Sequence, residues 1–87
     1  MRLDKYLKVS RLIKRRTLAK EASEADRVLV NGKPAKPSKD INVDDIITIV
    51  FGRRIVEVKV TRLIESTKKE DALLMYELIS EKEKTGE

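Results

Sequence analysis

The sequence predicts a small α+β domain: two N-terminal helices packed on a small antiparallel sheet of hairpins, plus a C-terminal helix. Three observations carry that expectation. Leu3 and Leu7 stand at i, i+4 with Tyr6 beside them, the apolar stripe of a short helix. From Arg27 the apolar period changes, and Asn31-Gly32 follows, the strongest short-range hairpin signal. Ala72, Met75, Leu78 and Ile79 then return to i, i+3, i+4 spacing. At 87 residues the chain is one domain, too small for two independent cores.

The elements follow in order. In the first helix, residues 3–9, Asp4 falls in the first turn, where a carboxylate meets orphan N–H groups and the positive end of the dipole. Ser10 closes this helix or caps the next segment. The second helix is expected over residues 14–25, with Leu18, Ala19, Ala22 and Ala25 facing inward and the alanines allowing close packing on the first helix. "RVLV" reads as a strand, and Asn31-Gly32 predicts a type I′ turn, which needs φ > 0 at both central positions. Residues 34–45 hold both prolines and several turn formers and read as a surface loop. "IITIVFG" and "RIVEVKVTRLI" are rich in β-branched residues and join around Gly52-Arg53-Arg54 as a second hairpin. Val56, Val58 and Val60 alternate with Glu57 and Lys59, so that strand has one wet face. Residues 67–84 are expected as a C-terminal helix, opened by a Thr67–Glu70 capping box and carrying the Ala72–Ile79 stripe with Leu74 beside it. The tail after Lys84 is expected to fray.

Composition excludes several classes of chemistry. The chain has neither cysteine nor histidine, which removes disulfides, thiolate metal sites, the commonest metal ligand and the commonest general base. Asp44-Asp45 is the one adjacent carboxylate pair before the C-terminal segment. It reads as a turn feeding a strand, because strand neighbours point to opposite faces and nothing nearby adds metal ligands. Three glycines cannot make a phosphate-cradling loop. A catalytic role is not expected, and neither a metal nor a cofactor is. No apolar run approaches the ~20 residues that span a bilayer, and residues 1–20 lack the apolar core of a signal peptide, so a cytoplasmic protein is expected.

The charge is concentrated. Of a net +5, residues 1–20 carry +7, from Arg2, Lys5, Lys8, Arg11, Lys14, Arg15, Arg16 and Lys20 against Asp4. The last 27 residues carry −2. Such a field concerns partners rather than fold. Lys14, Arg15 and Arg16 gather at the start of the second helix, where the dipole is already positive, so they repel the helix end until an anion arrives. A phosphodiester backbone supplies that anion, bound by guanidinium forks and helix N-terminal amides. A solvated cationic face is the bland alternative, although elsewhere the chain mixes glutamates into its basic stretches. An anionic membrane surface is disfavoured by the lack of Trp and Phe anchors in this segment. With only Tyr6, Phe51 and Tyr76 aromatic, a single-strand stacking platform is not expected either. Helix–turn–helix DNA binding competes, but Glu21, Ser23 and Glu24 make a poor groove-reading face.

"RLDKYLKVSRLIKRRTLAKE" followed by "RVLVNGKPAKPSKDINVDDIITI" resembles the αL, or S-four, RNA-binding domain. The resemblance carries over R-L-D-K-x-L at the start, paired arginines opening the second helix, V-N-G-x-x-x-K-P-S and a D-x-I strand. It implies an αL RNA-binding fold over residues 1–65, with residues 66–87 as the C-terminal helix and tail. It also implies that Arg2, Lys5, Arg11, Arg15 and Arg16 face RNA, Arg16 foremost, with Lys8, Lys14 and Lys20 on the same basic face. Asp4 supports the set, either by capping its helix or by orienting a neighbouring arginine. Lys36-Pro37-Ser38 matches the family's loop and reads mainly as loop geometry, with a phosphate contact by Lys36 as the alternative. Two positions depart from the family pattern: Asp26 and Asp44 stand where members often carry glycine, which asks an aspartate to adopt a left-handed backbone.

The resemblance is closest to the stand-alone members that act in ribosome-associated quality control. For this chain it implies rRNA of the large ribosomal subunit and peptidyl-tRNA as ligands, RqcH as the partner, and assistance to C-terminal alanine tailing. A monomer is expected off the ribosome. Two alternatives stand beside this: a heat-shock-type large-subunit recycling factor without a tailing role, and an adaptor that binds protein through its acidic C-terminal helix.

Overall fold

The structure, a computed structural model, describes residues 1–65 and 68–83. Its elements are α1 (Leu3–Val9), α2 (Arg16–Glu24), β1 (Val28–Val30), β2 (Lys33–Pro34), β3 (Ile46–Phe51), β4 (Arg54–Val60), α3 (Lys69–Ala72) and β5 (Tyr76–Glu83). The strands form one antiparallel sheet in the order β2-β1-β3-β4-β5. One core joins the helices to the sheet, with Leu3, Tyr6 and Leu7 of α1 fully buried among Ala19, Val28, Ile47, Ile49 and Val58. The expected α+β architecture is present.

α1 begins without a side-chain cap, yet its first amides are satisfied. The N–H groups of Leu3 and Asp4 donate to the carbonyls of Lys39 (2.8 Å) and Pro37 (3.1 Å). The Lys5 N–H donates to the Asp4 carboxylate at 2.8 Å. The K-P-S loop is thus an acceptor platform for the helix start, as orphan N–H groups require. α1 ends where Arg11 turns left-handed at φ 63° and donates its N–H to the Lys8 carbonyl.

α2 is shorter than the expected residues 14–25: Lys14 precedes it and Arg15 is its N-cap. Its buried stripe is Ala19 and Ser23, with Ala22 half-buried, all small enough for the helix to lie close to α1. Leu18, expected inward, is 47% exposed, and Ala25 is the exposed C-cap. The inward arc of this nine-residue helix is too narrow to hold them as well.

Asn31 (φ 53°) and Gly32 (φ 85°) both take positive φ, which is the I′ turn the dipeptide predicts. A Cβ at Gly32 would meet nothing, so the backbone conformation alone calls for glycine there. Asp26 (φ 59°) and Asp44 (φ 78°) adopt the left-handed conformation their positions demand. Asp44-Asp45 forms a turn: Asp45 accepts hydrogen bonds from the Asn42 N–H (2.9 Å) and the Asn31 Nδ2 (3.1 Å), and Asp44 pairs with Lys59 at 3.6 Å.

The C-terminal helix expected over residues 67–84 is not formed. α3 stops after four residues, and Tyr76–Glu83 instead pairs with β4 as a fifth strand, with a bulge at Ile79. Without β5, the outer edge of β4 would leave a row of N–H and C=O groups unpaired, and sheet pairing prevails over the local helical spacing. Ala72 and Met75 are buried as the stripe predicts, whereas Leu74, Leu78 and Ile79 are about half exposed. Thr67 of the expected capping box and the tail after Lys84 lie outside the described residues. The Met75 carbonyl accepts the Tyr6 hydroxyl (2.7 Å) and the Thr61 N–H (2.9 Å), tying the start of the chain to its end. Burial pushes the Tyr6 hydroxyl far above its ordinary pKa, and the nearby Tyr76 adds to this.

Candidate nucleic-acid interface

Two grooves organise the basic residues. In the first, Asp4 of α1 is the centre: its side chain is 4% exposed and carries a charge that needs partners. Arg2 supplies a two-pronged contact, Nε to Oδ1 at 3.1 Å and Nη2 to Oδ2 at 3.2 Å. Arg16 reaches across from the first turn of α2, with Nη2 3.4 Å from Oδ1. Burial alone would push the Asp4 carboxyl up. The hydrogen bonds from Arg2, Arg16 and the Lys5 amide, with the charge of Arg16, outweigh burial and hold it below the ordinary carboxylate value.

Asp4 is not the helix cap; it accepts the Lys5 N–H within its own first turn and pairs with two guanidinium groups, those of Arg2 and Arg16. Arg2 and Arg16 are each about half exposed, so the carboxylate takes part of each fork and leaves the remaining N–H groups facing water. Arg2, Lys5, Arg16, Leu63 and Glu65 line one groove here, of about 510 Å³. Lys5 pairs with Glu65, whose carboxyl is lowered by that hydrogen bond and by the Lys5 charge. This pairing was not legible from composition, since Glu65 lies 60 residues away.

The second groove, of about 370 Å³, gathers Lys8, Arg11 and Lys14 over Val9 and Ile13, with no carboxylate among the described residues that line it. Arg15 sits at the N-cap of α2, which has no side-chain cap hydrogen bond and no acid in its first turn. Lys20 is exposed one turn further along α2. Lys36 does not join these groups. It lines a separate groove with Lys33 and Lys39 beside the β2 hairpin. Lys33 and Lys39 were not among the expected residues; their spacing of three from Lys36, in a segment without an acid between them, is the signal that marks them.

Chemically, this is a cationic surface on which one buried carboxylate anchors two of the arginines, Arg2 and Arg16, suited to accepting phosphate oxygens. Among the described residues, no group of three or more acids gathers as a metal site. No helix among them is long and apolar enough to cross a membrane.

Comparison with known proteins identifies the family. A family model of the S4 domain matches residues 1–47. A protein of Streptococcus pneumoniae named RQC P-site tRNA stabilizing factor is 59% identical over 81 residues, which cover 93% of this chain and 92% of that protein. The Bacillus subtilis protein of the same name is 54% identical over 87 residues, 100% of both chains. Among solved structures, the trimeric heat shock protein 15 of Vibrio cholerae superposes with a TM-score of 0.85 at 30% identity, over 92% of this chain and 82% of that one.

Proposed function

This chain belongs to the S4 domain family, in the branch of the RQC P-site tRNA stabilizing factors, and from that premise we propose that it is a non-catalytic RNA-binding factor of ribosome-associated quality control. In this reading it binds rRNA of stalled large ribosomal subunits together with the peptidyl-tRNA they hold, in the cytoplasm, and is monomeric off the ribosome. By holding the tRNA in place it assists C-terminal alanine tailing by RqcH.

The observation that carries the reading is the Arg2–Asp4–Arg16 cluster. Two arginines from different elements are fixed before any ligand arrives, so less side-chain freedom is lost when they grip phosphates. Lys8, Lys14, Arg15 and Lys20 widen the same positive field and steer approach to RNA. Contacts of this type position the protein without reading sequence.

The test is sedimentation of tagged protein through sucrose gradients of cell lysate, with wild type beside Arg16→Ala. Co-migration of wild type with large subunits carrying peptidyl-tRNA, lost in a variant that keeps its circular dichroism spectrum, is the expected outcome. Neutralising ~5 phosphates gives a slope of log K against log salt of about −3.5 to −4.5. Wild type remaining at the top of a low-salt gradient would remove the ribosome from the reading. Alanine tails that persist on stalled chains in a deletion strain would assign the protein to subunit recycling instead.

A further inference from the structure

Beyond the phosphate-binding cations, α2 and the sheet leave an apolar groove of about 360 Å³ between them. Leu18 and Ala22 of α2 form one wall, Val50 and Phe51 of β3 the other, with Ile13 and Arg27 also lining it. The volume lies at the lower end of ligand clefts, ~300–1,000 Å³. Leu18 is 47% exposed on a wall that no described residue covers.

What adjoins this groove selects its occupant. Ile13 also lines the groove of Lys8, Arg11 and Lys14, so apolar and cationic surfaces share one wall. Among the described residues, no carboxylate lines either groove. A ligand that matches both carries a flat apolar part and an anion a few bonds away, which describes a nucleotide. An apolar protein side chain uses only half of this surface. We propose that the groove between α2 and β3 receives one unpaired base of the bound RNA, whose phosphate lies against the adjoining lysines. This rests on the RNA-binding reading above and adds a contact with the base. Most of the chain's RNA contacts would be to phosphate, and this one would favour an extruded nucleotide over a continuous duplex.

The test uses a synthetic RNA hairpin with one bulged adenosine and the same hairpin with an abasic site at the bulge. Affinity is read across a salt series for wild type, Leu18→Ser and Arg16→Ala, with thermal unfolding as the fold control. Wild type is expected to prefer the bulged base by about tenfold, the scale of one stacked base. Leu18→Ser, at an exposed position, abolishes the preference and leaves the salt slope unchanged. Arg16→Ala keeps the preference and makes the slope shallower by about 0.7–0.9. Equal binding of both hairpins by wild type overturns the base site while leaving RNA binding intact. A Leu18→Ser variant that retains the preference overturns it as well, and refers the groove to a protein side chain. Wild type that binds neither hairpin overturns the RNA-binding reading itself.

Discussion

Exchanging Asp4 for asparagine keeps the side-chain shape and one acceptor oxygen but removes the charge that holds Arg2 and Arg16. Both arginines are about half exposed and rehydrate when released, so each pair contributes only about 0.5 kcal/mol to stability. The hydrogen bond to the Lys5 N–H adds up to about 1 kcal/mol and is retained in part by the amide oxygen. Relief of the buried charge offsets some of the loss. The net expectation is about 1 kcal/mol, a fall in Tm of about 4–8 °C for a domain of this size.

The effect on binding is larger. Two released arginine side chains must be ordered again on RNA at about 0.5–1.5 kcal/mol each, so Kd rises between about fivefold and a hundredfold. Both guanidinium groups stay charged, so the salt slope does not change. Urea denaturation reads the stability, and binding to purified large subunits across a salt series reads the rest. The reasoning is refuted if Asp4→Asn binds as tightly as wild type, or if its slope falls as a lost phosphate contact would make it fall. Acid adds an independent check. The folded carboxyl is held below its unfolded value, so its contribution is complete above about pH 4 and is lost as pH falls through the lower folded value. The stability gap between wild type and Asp4→Asn therefore closes in that acid range and stays open at neutral pH.

Three further outcomes are expected. Arg16→Ala makes the salt slope of subunit binding shallower by about 0.7–0.9, with stability changed by no more than about 1 kcal/mol; an unchanged slope would mean that Arg16 touches no phosphate. Tyr6→Phe removes the hydroxyl from the Met75 carbonyl, which keeps the Thr61 N–H, so the loss in urea is about 0.5–1.5 kcal/mol. Asp26→Gly relieves a left-handed backbone and gains about 0.5 kcal/mol after the extra chain entropy of glycine is counted; a less stable variant would show that the aspartate side chain outweighs the strain.

The legible parts of the fold were those that local physics decides. Leu3, Tyr6 and Leu7 announced α1, Asn31-Gly32 could make only one kind of tight hairpin, and Asp26 and Asp44 stood where φ is indeed positive. The C-terminal segment was not legible, because its apolar spacing satisfies a helix while the vacant edge of β4, invisible in a local window, calls for a strand. Leu18 was misplaced for a related reason: small residues alone fill the inward arc of α2, and a stripe of apolar residues does not say how narrow that arc is. At the candidate interface the cations were plain from charge alone. Their anchoring was legible only in part: Asp4 was expected to cap its helix or to orient a neighbouring arginine, but nothing in a sequence marks it as buried or brings both Arg2 and Arg16 to it.

The hydrogen bond from Tyr6 to the Met75 carbonyl spans 69 residues of chain, and this sets the order in which the molecule can be completed. The helix that carries Asp4 precedes its partner by most of the chain, and its buried hydroxyl meets its acceptor only when Met75 has been made. Contacts of such sequence separation slow folding, because a long loop must close before they form. A nascent chain shorter than this has its cations without the lock that seats their helix. The seating of α1, and with it the position of Asp4, therefore depends on the segment that leads into β5, far from it in sequence.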